Sequence, residues 1–433
     1  MSSLIARVSF ILSGIFCLSG CHQGGQDLVG TSASGAQARS LCQVTQNASS
    51  SKVPPKRAST SADDLADAGL AWMRKARLSS DPGFYLNVQA CADLALALAP
   101  EHARALELRG QALMNMHEFD KARVLAESLI AREPDRASAV GLLADAQLEL
   151  GLYKEAQAST QRQLSLHPDM AGHARASYLR WLAGDVPGAI RLIGTALVDR
   201  DTRNPEAAAW TFVEAGNIYW HEGKLDGADS IYEEALRWLP DYPSALAGRG
   251  RVALAHGRPD VAIGFFEKSL LRRPLVETAW LLGDAHAAQG DSSAAARSYA
   301  AAENIGRRSD PLMLAVFLAA QDRNPAEALK LLDSETRRRS GITIDDARAW
   351  ALYRLGRFDE ALSASDRALR LGTRDARLLF HAGAIRVALG DHVLGARQIE
   401  QALALNPAFD LSAAMKARAL LASSRQSLAV ARQ

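Results

Sequence analysis

Cysteine is scarce in this sequence. Its 433 residues include four, at Cys17, Cys21, Cys42 and Cys91, and no two of them are spaced as CxxC. The usual zinc-binding and thioredoxin-type motifs are therefore excluded. A surplus of one charge is also missing, because 50 Lys and Arg oppose 48 Asp and Glu, giving a formal net charge of +2. Dedicated nucleic-acid binders carry a basic surplus, so no nucleic-acid partner is predicted.

Catalytic and cofactor motifs are missing as well. The sequence contains no HExxH, no GxSxG and no GxxxxGK followed by Ser or Thr. Its ten histidines are scattered along the chain. Because metal centres and nucleotide sites need ligands at characteristic spacings, we expect no metal and no cofactor. For the same reason we predict neither enzymatic activity nor a small-molecule substrate.

The one notable apolar run lies near the start, at residues 8–18, and follows a single positive charge at Arg7. The run is too short to span a bilayer as a helix but has the length of a signal-peptide core. It ends in LSGC, whose cysteine is Cys21. This resembles the bacterial lipoprotein box, which implies cleavage before Cys21 and lipidation of that cysteine. The alternative is an ordinary secretory signal in which Cys21 falls by chance.

The N-terminal region is thus predicted to contain a targeting signal and a membrane anchor. Residues 1–20 are a lipoprotein signal peptide, and residues 21–61 are a flexible tether rich in Ser, Gly, Ala and Gln. The residue after the lipidated cysteine is His22, not Asp. By resemblance to enterobacterial lipoproteins, this favours the outer membrane. The protein would face the periplasm of the bacterial envelope, held to the membrane by its lipid.

Cys42 and Cys91 are the cysteines that remain after processing. They could form a disulfide in an oxidising periplasm. Alternatively, Cys91 is a small core residue and Cys42 stays free in the tether. The sequence favours the second alternative without deciding between them.

Proline recurs with a period of 34 residues. It follows helix-like stretches at Pro100, Pro134 and Pro168, and the same spacing returns at Pro240 and Pro274. A fixed period of this size predicts a solenoid of stacked helical hairpins.

The clearest unit covers residues 210–240. Gly216 and Tyr219 fall on its first helix, and Ala228 and Tyr232 fall on its second. This pattern resembles the tetratricopeptide repeat, W-x2-L-G-x2-Y followed by A-x3-F and a proline. Small residues at Gly216 and Ala228 would let the two helices approach closely, while the tyrosines fill the space around the contact.

The resemblance implies an all-α fold, a right-handed superhelical solenoid of about ten hairpins over residues 62–409. A C-terminal capping helix is predicted within residues 410–433, because the last hairpin would otherwise expose an apolar face.

In this family the first helix of each hairpin lines a concave groove. Carried over unit by unit, the resemblance places fourteen residues at or near the groove. They are Tyr178, Trp181, Trp210, Asn217, Trp220, His221, Arg251, Trp280, Asp284, Phe317, Trp350, Tyr353, Arg377 and Phe380. Aromatic side chains beside polar groups are typical of binding hot spots. The alternative is that the aromatic residues fill the seams between units, and the sequence leaves both open.

The predicted function is that of a membrane-anchored scaffold that binds a protein or an extended peptide in the groove. One alternative is a module that uses the aromatic groove on glycan such as peptidoglycan, either to bind it or to act on it. Another is a purely structural spacer. The repeat pattern does not name the partner, since repeats of this kind serve many unrelated systems.

Overall fold

The computed structural model describes residues 35–42, 61–198 and 204–430, with side chains from residue 37 to residue 426. Within these ranges the chain forms α-helices and one 3-10 turn at Pro82–Phe84, and it contains no strand. The helices are α1 (Gly35–Cys42), α2 (Ala62–Ser79), α3 (Tyr85–Leu98), α4 (Ala103–Asn115), α5 (Phe119–Arg132), α6 (Ala137–Glu149), α7 (Tyr153–Leu166), α8 (Met170–Leu182), α9 (Val186–Val198), α10 (Pro205–His221), α11 (Leu225–Trp238), α12 (Pro243–Ala255), α13 (Pro259–Arg272), α14 (Val276–Ala288), α15 (Ser292–Ser309), α16 (Pro311–Ala320), α17 (Pro325–Glu335), α18 (Ile342–Arg354), α19 (Phe358–Ala368), α20 (Ala376–Ala388), α21 (His392–Leu405) and α22 (Leu411–Val430).

The predicted all-α fold of about ten hairpins is confirmed. Helices α2 to α21 are arranged as consecutive hairpins, α2 with α3 through α20 with α21, and most of the hairpins pack on the one that follows. Helices α8 and α9 are joined by the Ser177 hydroxyl, which donates to the carbonyl of Ala189 at 2.7 Å. Helix α22 packs against α21 and α20 as the predicted capping helix, and buries Ala414 and Ala417. The described residues fall into two compact units, here called unit 1 (residues 35–42 and 61–171) and unit 2 (residues 172–198 and 204–430).

The hairpin contacts follow the sequence pattern. A Cβ atom on Gly216 would lie 2.5 Å from the ring of Tyr232, and one on Gly283 would lie 2.3 Å from the ring of Tyr299. These distances are far below van der Waals contact, so only glycine lets the first helix lie so close to the aromatic ring of the second. Ala228 is fully buried at the same interface as Tyr232. The roles predicted for Gly216, Ala228 and Tyr232 are therefore observed.

Unit 1 begins with a short helix that the sequence did not predict. Helix α1 packs on α3, where Cys42 forms a disulfide with Cys91, with the two Cα atoms 4.9 Å apart. The Trp72 indole N–H donates to the carbonyl of Cys42 at 3.3 Å, and the Asn87 amide donates to that of Leu41 at 2.6 Å. The interpretation that favoured free thiols is therefore wrong.

The same contacts correct part of the predicted tether. A helix as short as α1 is not stable in isolation. It forms here because Ala38 and Cys42 are buried against the first hairpin and the disulfide holds them there. Ser61, the last residue of the predicted tether, caps α2 through the N–H of Asp64. The signal peptide and the other tether residues, including Cys21, lie outside the described residues.

Among the described helices, none combines the length and the hydropathy that a bilayer crossing requires.

Unit 2 makes contacts that a linear array of repeats would not make. The Thr373 hydroxyl, in the loop after α19, donates to the carbonyl of Leu182 at the end of α8. The Asn406 amide, at the end of α21, donates to the carbonyl of Trp220 in α10 at 2.8 Å. In a regular solenoid each repeat contacts only its neighbours. Early and late hairpins of unit 2 are instead in direct contact.

Two further contacts belong to the same closure. The Arg374 guanidinium forms hydrogen bonds of 3.2 and 3.3 Å with both carboxylate oxygens of Glu222. Gly184 has a φ of 75°, and a Cβ atom there would lie 2.5 Å from the carbonyl oxygen of Gly372. The loop after α8 therefore needs glycine both for its backbone conformation and for this close approach. Unit 2 therefore closes on itself, with its late hairpins in contact with its early ones.

Candidate binding channel

Three cavities adjoin one another inside unit 2, here called cavities A, B and C. Their volumes are about 30, 90 and 30 Å³. Cavities A and B share His221 and Arg251 as lining residues, and cavities B and C share Trp280, Arg377 and Asp410. Because each cavity shares a wall with the next, we treat the three as one channel. Cavity B is the largest, with room for about half a dozen water molecules.

The channel is lined mainly by the first helices of successive hairpins, as the repeat pattern predicts. Eleven of the fourteen predicted groove residues contribute to it. Those in cavity A are Tyr178, Trp181, Asn217, His221 and Arg251. Those in cavity B are Trp220, His221, Arg251, Trp280, Asp284 and Arg377. Those in cavity C are Trp280, Trp350, Arg377 and Phe380.

The other three predicted residues do not line these cavities. Trp210 is half-buried and packs on the core around Tyr232. Phe317 is fully buried, with its ring centroid 5.6 Å from that of Trp280. Tyr353 is half-buried and stacks on Trp350 at 4.7 Å. At these three positions the aromatic side chains pack against other side chains, as the alternative to the groove predicts.

The aromatic residues that do line the channel also pack between neighbouring hairpins of unit 2. Trp181, Trp220 and Trp280 are only 4%, 4% and 6% exposed. Trp220 belongs to the core of hairpin α10–α11, and Trp280 to the core that continues into α16 and α18. The two alternatives left open by the sequence are therefore not exclusive, because one ring can fill a seam and also form part of a cavity wall.

Arg251 is the central cation of the channel, at the wall between cavities A and B. Its guanidinium donates to Asn217 Oδ1 at 3.0 Å and to the Tyr232 hydroxyl at 2.9 Å, and it lies 4.5 Å from the centre of the Trp220 ring. Glu277 is 3.9 Å away. These partners come from α10, α11 and α14, so Arg251 is fixed by three neighbouring helices.

His221 lies beside Arg251, against the late hairpins. Its Nδ1 is 3.4 Å from an oxygen of Asp375, and its ring lies 4.6 Å from that of Trp181. Burial lowers the pKa of His221 to about 4, although the Asp375 carboxylate opposes this effect. The ring is therefore neutral at physiological pH. Asp375 also accepts hydrogen bonds from the backbone N–H groups of Arg377 and Leu378, and so caps α20.

Three carboxyl groups in the channel ionise less readily than usual. Burial raises the pKa of Glu214 in cavity A to about 8. In cavity B burial raises the pKa of Asp284 to about 7, and the nearby Asp410 carboxylate adds to the effect. Burial also raises the pKa of Glu277. Desolvation disfavours a charge that no opposite charge compensates, so these carboxyls lack sufficient positive neighbours.

Cavity C combines an aromatic wall with a buried acid–histidine pair. His381 stacks on Trp350, with ring centroids 3.9 Å apart and planes 13° apart, and its Nδ1 is 2.9 Å from Asp346 Oδ1. The same carboxylate lies 3.7 Å from Arg377. Within the described part of the chain, no group of three or more His, Cys, Asp and Glu residues is arranged to hold a metal ion.

Several channel residues were missed by the sequence reasoning. Glu214 is three residues before Asn217 on α10, and Glu277 is seven residues before Asp284 on α14, so helical spacing could have identified both. Asn406, Phe409 and Asp410 could not have been found in this way. They belong to the connection between α21 and α22, outside the repeat pattern, and reach the channel only because unit 2 closes.

The tetratricopeptide repeat family model matches residues 107–169, 213–274, 248–311 and 347–408. Together these segments cover slightly more than half of the chain, and the chain belongs to this family. It is accordingly a helical-repeat scaffold of the kind that mediates protein–protein interaction. No curated protein sequence matches the chain.

Solved structures with a similar fold include a human IFIT1 dimer with m7Gppp-AAAA. That likeness has 17% identity, covers 74% of this chain and 73% of that one, and has a TM-score of 0.51. Yeast Tom70 covers 84% of this chain and 96% of its own at 14% identity and a TM-score of 0.34. PilW, a type IV pilus biogenesis factor, covers 53% of this chain and 98% of its own at 17% identity and a TM-score of 0.40. At these identities the likeness concerns the fold alone.

Proposed function

We propose that this protein is a lipid-anchored scaffold of the bacterial envelope that binds an extended segment of a partner protein in the channel of unit 2. The observation that carries the proposal is the series of three adjoining cavities with shared walls. An extended peptide places its side chains at regular intervals, and a row of small cavities accommodates successive side chains better than it accommodates one large ligand. Fixed polar groups such as Arg251 and Asn217 would orient the peptide.

The charge of the channel favours a peptide over a nucleic acid. The human IFIT1 structure, similar in fold, holds m7Gppp-AAAA. In cavity B of this chain, however, four carboxyl groups face two arginines. A polyanion would need cations in excess, so we infer a protein partner here.

The anchor and the location rest on the sequence at Cys21 and are compatible with the disulfide of unit 1. Disulfides persist in the periplasm and are rare in the bacterial cytosol. If Cys21 carries the lipid, Cys21→Ser should release the protein from the membrane fraction or leave it unprocessed. Fatty-acid labelling and membrane fractionation measure this. A wild-type protein that is soluble and unlabelled would refute the anchor.

Peptide binding is tested by site-specific photocrosslinking in cells. A photoreactive amino acid at Tyr178, in cavity A, should crosslink to a protein segment that mass spectrometry maps to a defined stretch of the partner. The control position is Phe265, an aromatic residue on α13 that does not line the three cavities. Equal crosslinking at both positions would contradict the channel as the binding site. Loss of the Tyr178 crosslink on digestion of peptidoglycan would instead favour the glycan alternative.

A further inference from the structure

Cavity B holds more carboxyl groups than cations. Its carboxyls are those of Glu277, Asp284, Asp375 and Asp410, and its cations are Arg251 and Arg377. The two arginines already have partners within the protein. Arg251 is held by Asn217, Tyr232 and Trp220, and Arg377 lies 3.7 Å from Asp346 in cavity C. Arg251 also lies 3.9 Å from Glu277, and the charge of Arg377 acts on Glu277, Asp375 and Asp410. Neither guanidinium is among the groups that act on Asp284.

Asp284 is the acid whose negative charge is least compensated by neighbouring groups. It is 9% exposed, and its Oδ1 accepts hydrogen bonds from the Tyr299 hydroxyl at 2.7 Å and the Gln321 amide at 3.2 Å. The other groups that act on it are the Trp280 indole and the Asp410 carboxylate. Helices α14, α15 and α16 and the loop before α22 thus surround Asp284 with three neutral groups and one acid. A buried carboxylate is costly in such surroundings unless a cation joins it.

Four buried polar atoms of residues that line this cavity make no hydrogen bond, and two of them are the Nε atoms of Arg251 and Arg377. Glu277 Oε2 and Trp280 Nε1 are both buried, and neither makes a hydrogen bond in this structure. Trp280 is 6% exposed, and its indole N–H lies near the Asp284 carboxyl without reaching hydrogen-bonding geometry. Buried polar atoms are nearly always hydrogen-bonded in native proteins. An acceptor such as Glu277 Oε2 calls for a donor from outside the chain.

The spacing along α14 brings these groups to one side of the helix. Glu277, Trp280 and Asp284 are separated by three and four residues, which places them on one face. The carboxyls of Glu277 and Asp284 therefore flank the indole of Trp280, and Phe409 contributes a second ring to the cavity. Aromatic faces between carboxylates are the chemical environment that binds Lys and Arg side chains, by cation–π attraction and by ion pairing.

We propose that cavity B is a pocket for one cationic side chain, lysine or arginine, of the bound peptide. Asp284 and Asp410 act as its counter-ions, and Trp280 and Phe409 form its aromatic walls. This inference rests on the proposed peptide-binding function and adds the chemistry of the ligand. The cavity volume of about 90 Å³ suits the end of one such side chain and not a whole domain surface.

The perturbed ionisation of Asp284 gives the pocket a pH dependence. The pKa of this carboxyl is raised to about 7 in the empty site, above all by burial. A bound cation favours the ionised form, so binding below pH 7 must release a proton. Affinity should therefore rise from about pH 6 to pH 8 and level off above that range. Because Lys and Arg stay charged throughout this range, the titration belongs to the protein.

The test uses the full chain and short synthetic peptides, in which a central Arg, Lys, citrulline or Glu is flanked by alanines. Isothermal titration calorimetry should show the Arg and Lys peptides binding roughly tenfold or more tightly than the citrulline peptide, which has the same shape as Arg without the charge. Asp284→Asn should remove this preference, since Asn retains an acceptor for Tyr299 and Gln321. Asp260→Asn, at an exposed acid on α13, is the matched control and should leave the preference intact.

Asp410→Asn gives an independent test in case Asp284→Asn fails to fold. Asp410 caps α22 through the N–H of Ala413, and Asn is an equally good cap. This variant should also weaken the preference for Arg over citrulline. In the wild type, proton release should accompany binding of the Arg peptide at pH 6, measured in two buffers of different ionisation enthalpy.

Three outcomes would overturn the pocket: equal affinity for the Arg and citrulline peptides, tighter binding of the Glu peptide or of inorganic phosphate, or no binding of the Arg peptide at millimolar concentration. Crosslinking at Tyr178 reports peptide binding in the channel whatever the charge of the peptide. If that crosslink forms but charge has no effect, the cation pocket fails and the proposed function stands. If the crosslink to protein is missing, the proposed function itself fails.

Discussion

The two units of this chain differ in the internal contacts that stabilise each of them. Unit 1 is stabilised by contacts between neighbouring hairpins and by a covalent link between Cys42 and Cys91, 49 residues apart. Unit 2 has the same kind of hairpins, but residues nearly 200 positions apart, such as Leu182 and Thr373, are joined by hydrogen bonds and an ion pair. A disulfide stabilises the first helices of unit 1, whereas unit 2 is closed by polar contacts between its early and late hairpins.

This difference shows how a repeat fold acquires an interior. Stacked hairpins alone leave their concave face open, because each repeat contacts only its neighbours. In unit 2 the closing contacts bring the loop residues Asn406, Phe409 and Asp410 against α10 and α14. Cavity B is thereby formed between elements far apart in sequence. Polar contacts of this kind contribute less free energy than a disulfide, so the interior of unit 2 can open more readily than the start of unit 1.

Removing the disulfide should have the largest effect and should be confined to unit 1. Closing a loop of this length stabilises a protein by about 2–4 kcal/mol, chiefly by restricting the unfolded chain. We expect Cys42→Ser to lower the free energy of unfolding of unit 1 by about this amount. Hydrogen exchange followed by mass spectrometry would show faster exchange in α1 to α3 and unchanged exchange in α10 to α15.

The control for this prediction is the wild-type protein treated with an alkylating reagent without reductant. Cys42 and Cys91 should both remain unmodified. Alkylation of both residues would show that they do not pair. A loss of protection that spreads equally through unit 2 would show that the two units do not differ as proposed.

The sequence predicted the hairpins well because their determinants are local. Gly216, Ala228 and Tyr232 lie within one repeat, and their spacing by itself places them on facing sides of two helices. The first-helix positions that line the channel follow from the same period. This is why Trp220, Arg251 and Asp284 could be assigned to a common groove, although they lie on three different hairpins.

The closure and the disulfide could not be predicted in this way. Both depend on residues that approach each other only after many hairpins have stacked, or after an irregular segment has folded back. Cys42 was assigned to a tether because residues 22–61 show no helical period, yet α1 needs only a few buried side chains and one covalent bond to become ordered. The acids of cavity B were missed in part because Asp410 lies in a connection that the period does not cover.

A second prediction concerns the contacts within hairpins, which are found in both units. It compares two glycines on helices of unit 2. Gly216→Ala should cost about 1–3 kcal/mol of stability, because the new Cβ would lie 2.5 Å from the Tyr232 ring. That ring cannot easily move, since its hydroxyl is held by Asn217 and Arg251. The gain in helix propensity, at most about 1 kcal/mol, is too small to offset the clash.

Gly264→Ala is the matched control on α13. A Cβ atom there would have no atom within 4 Å, so the same substitution should leave stability unchanged or raise it by up to about 1 kcal/mol. Thermal and urea unfolding of the two variants measure the difference. If Gly216→Ala were as stable as Gly264→Ala, the close helix contact would not constrain the hairpin.

The smallest expected effects concern the contacts that close unit 2. Asn406 is 1% exposed, and its amide donates to the carbonyl of Trp220, which also accepts the N–H of Gly223 at 3.0 Å. The Oδ1 of Asn406 also accepts the N–H of Ala408 at 2.9 Å, so Asn406→Ala removes two hydrogen bonds. Because the Trp220 carbonyl keeps one partner, the cost should be only about 1–2 kcal/mol. Arg374 is half-exposed, so Arg374→Ala should cost less than about 1 kcal/mol, and the loss should shrink further at high salt. Urea unfolding at low and high ionic strength distinguishes the two contributions. The buried hydrogen bond should prove the stronger and the less sensitive to salt; the reverse order would mean that unit 2 is closed by its surface charges, and that access to the channel depends on ionic strength.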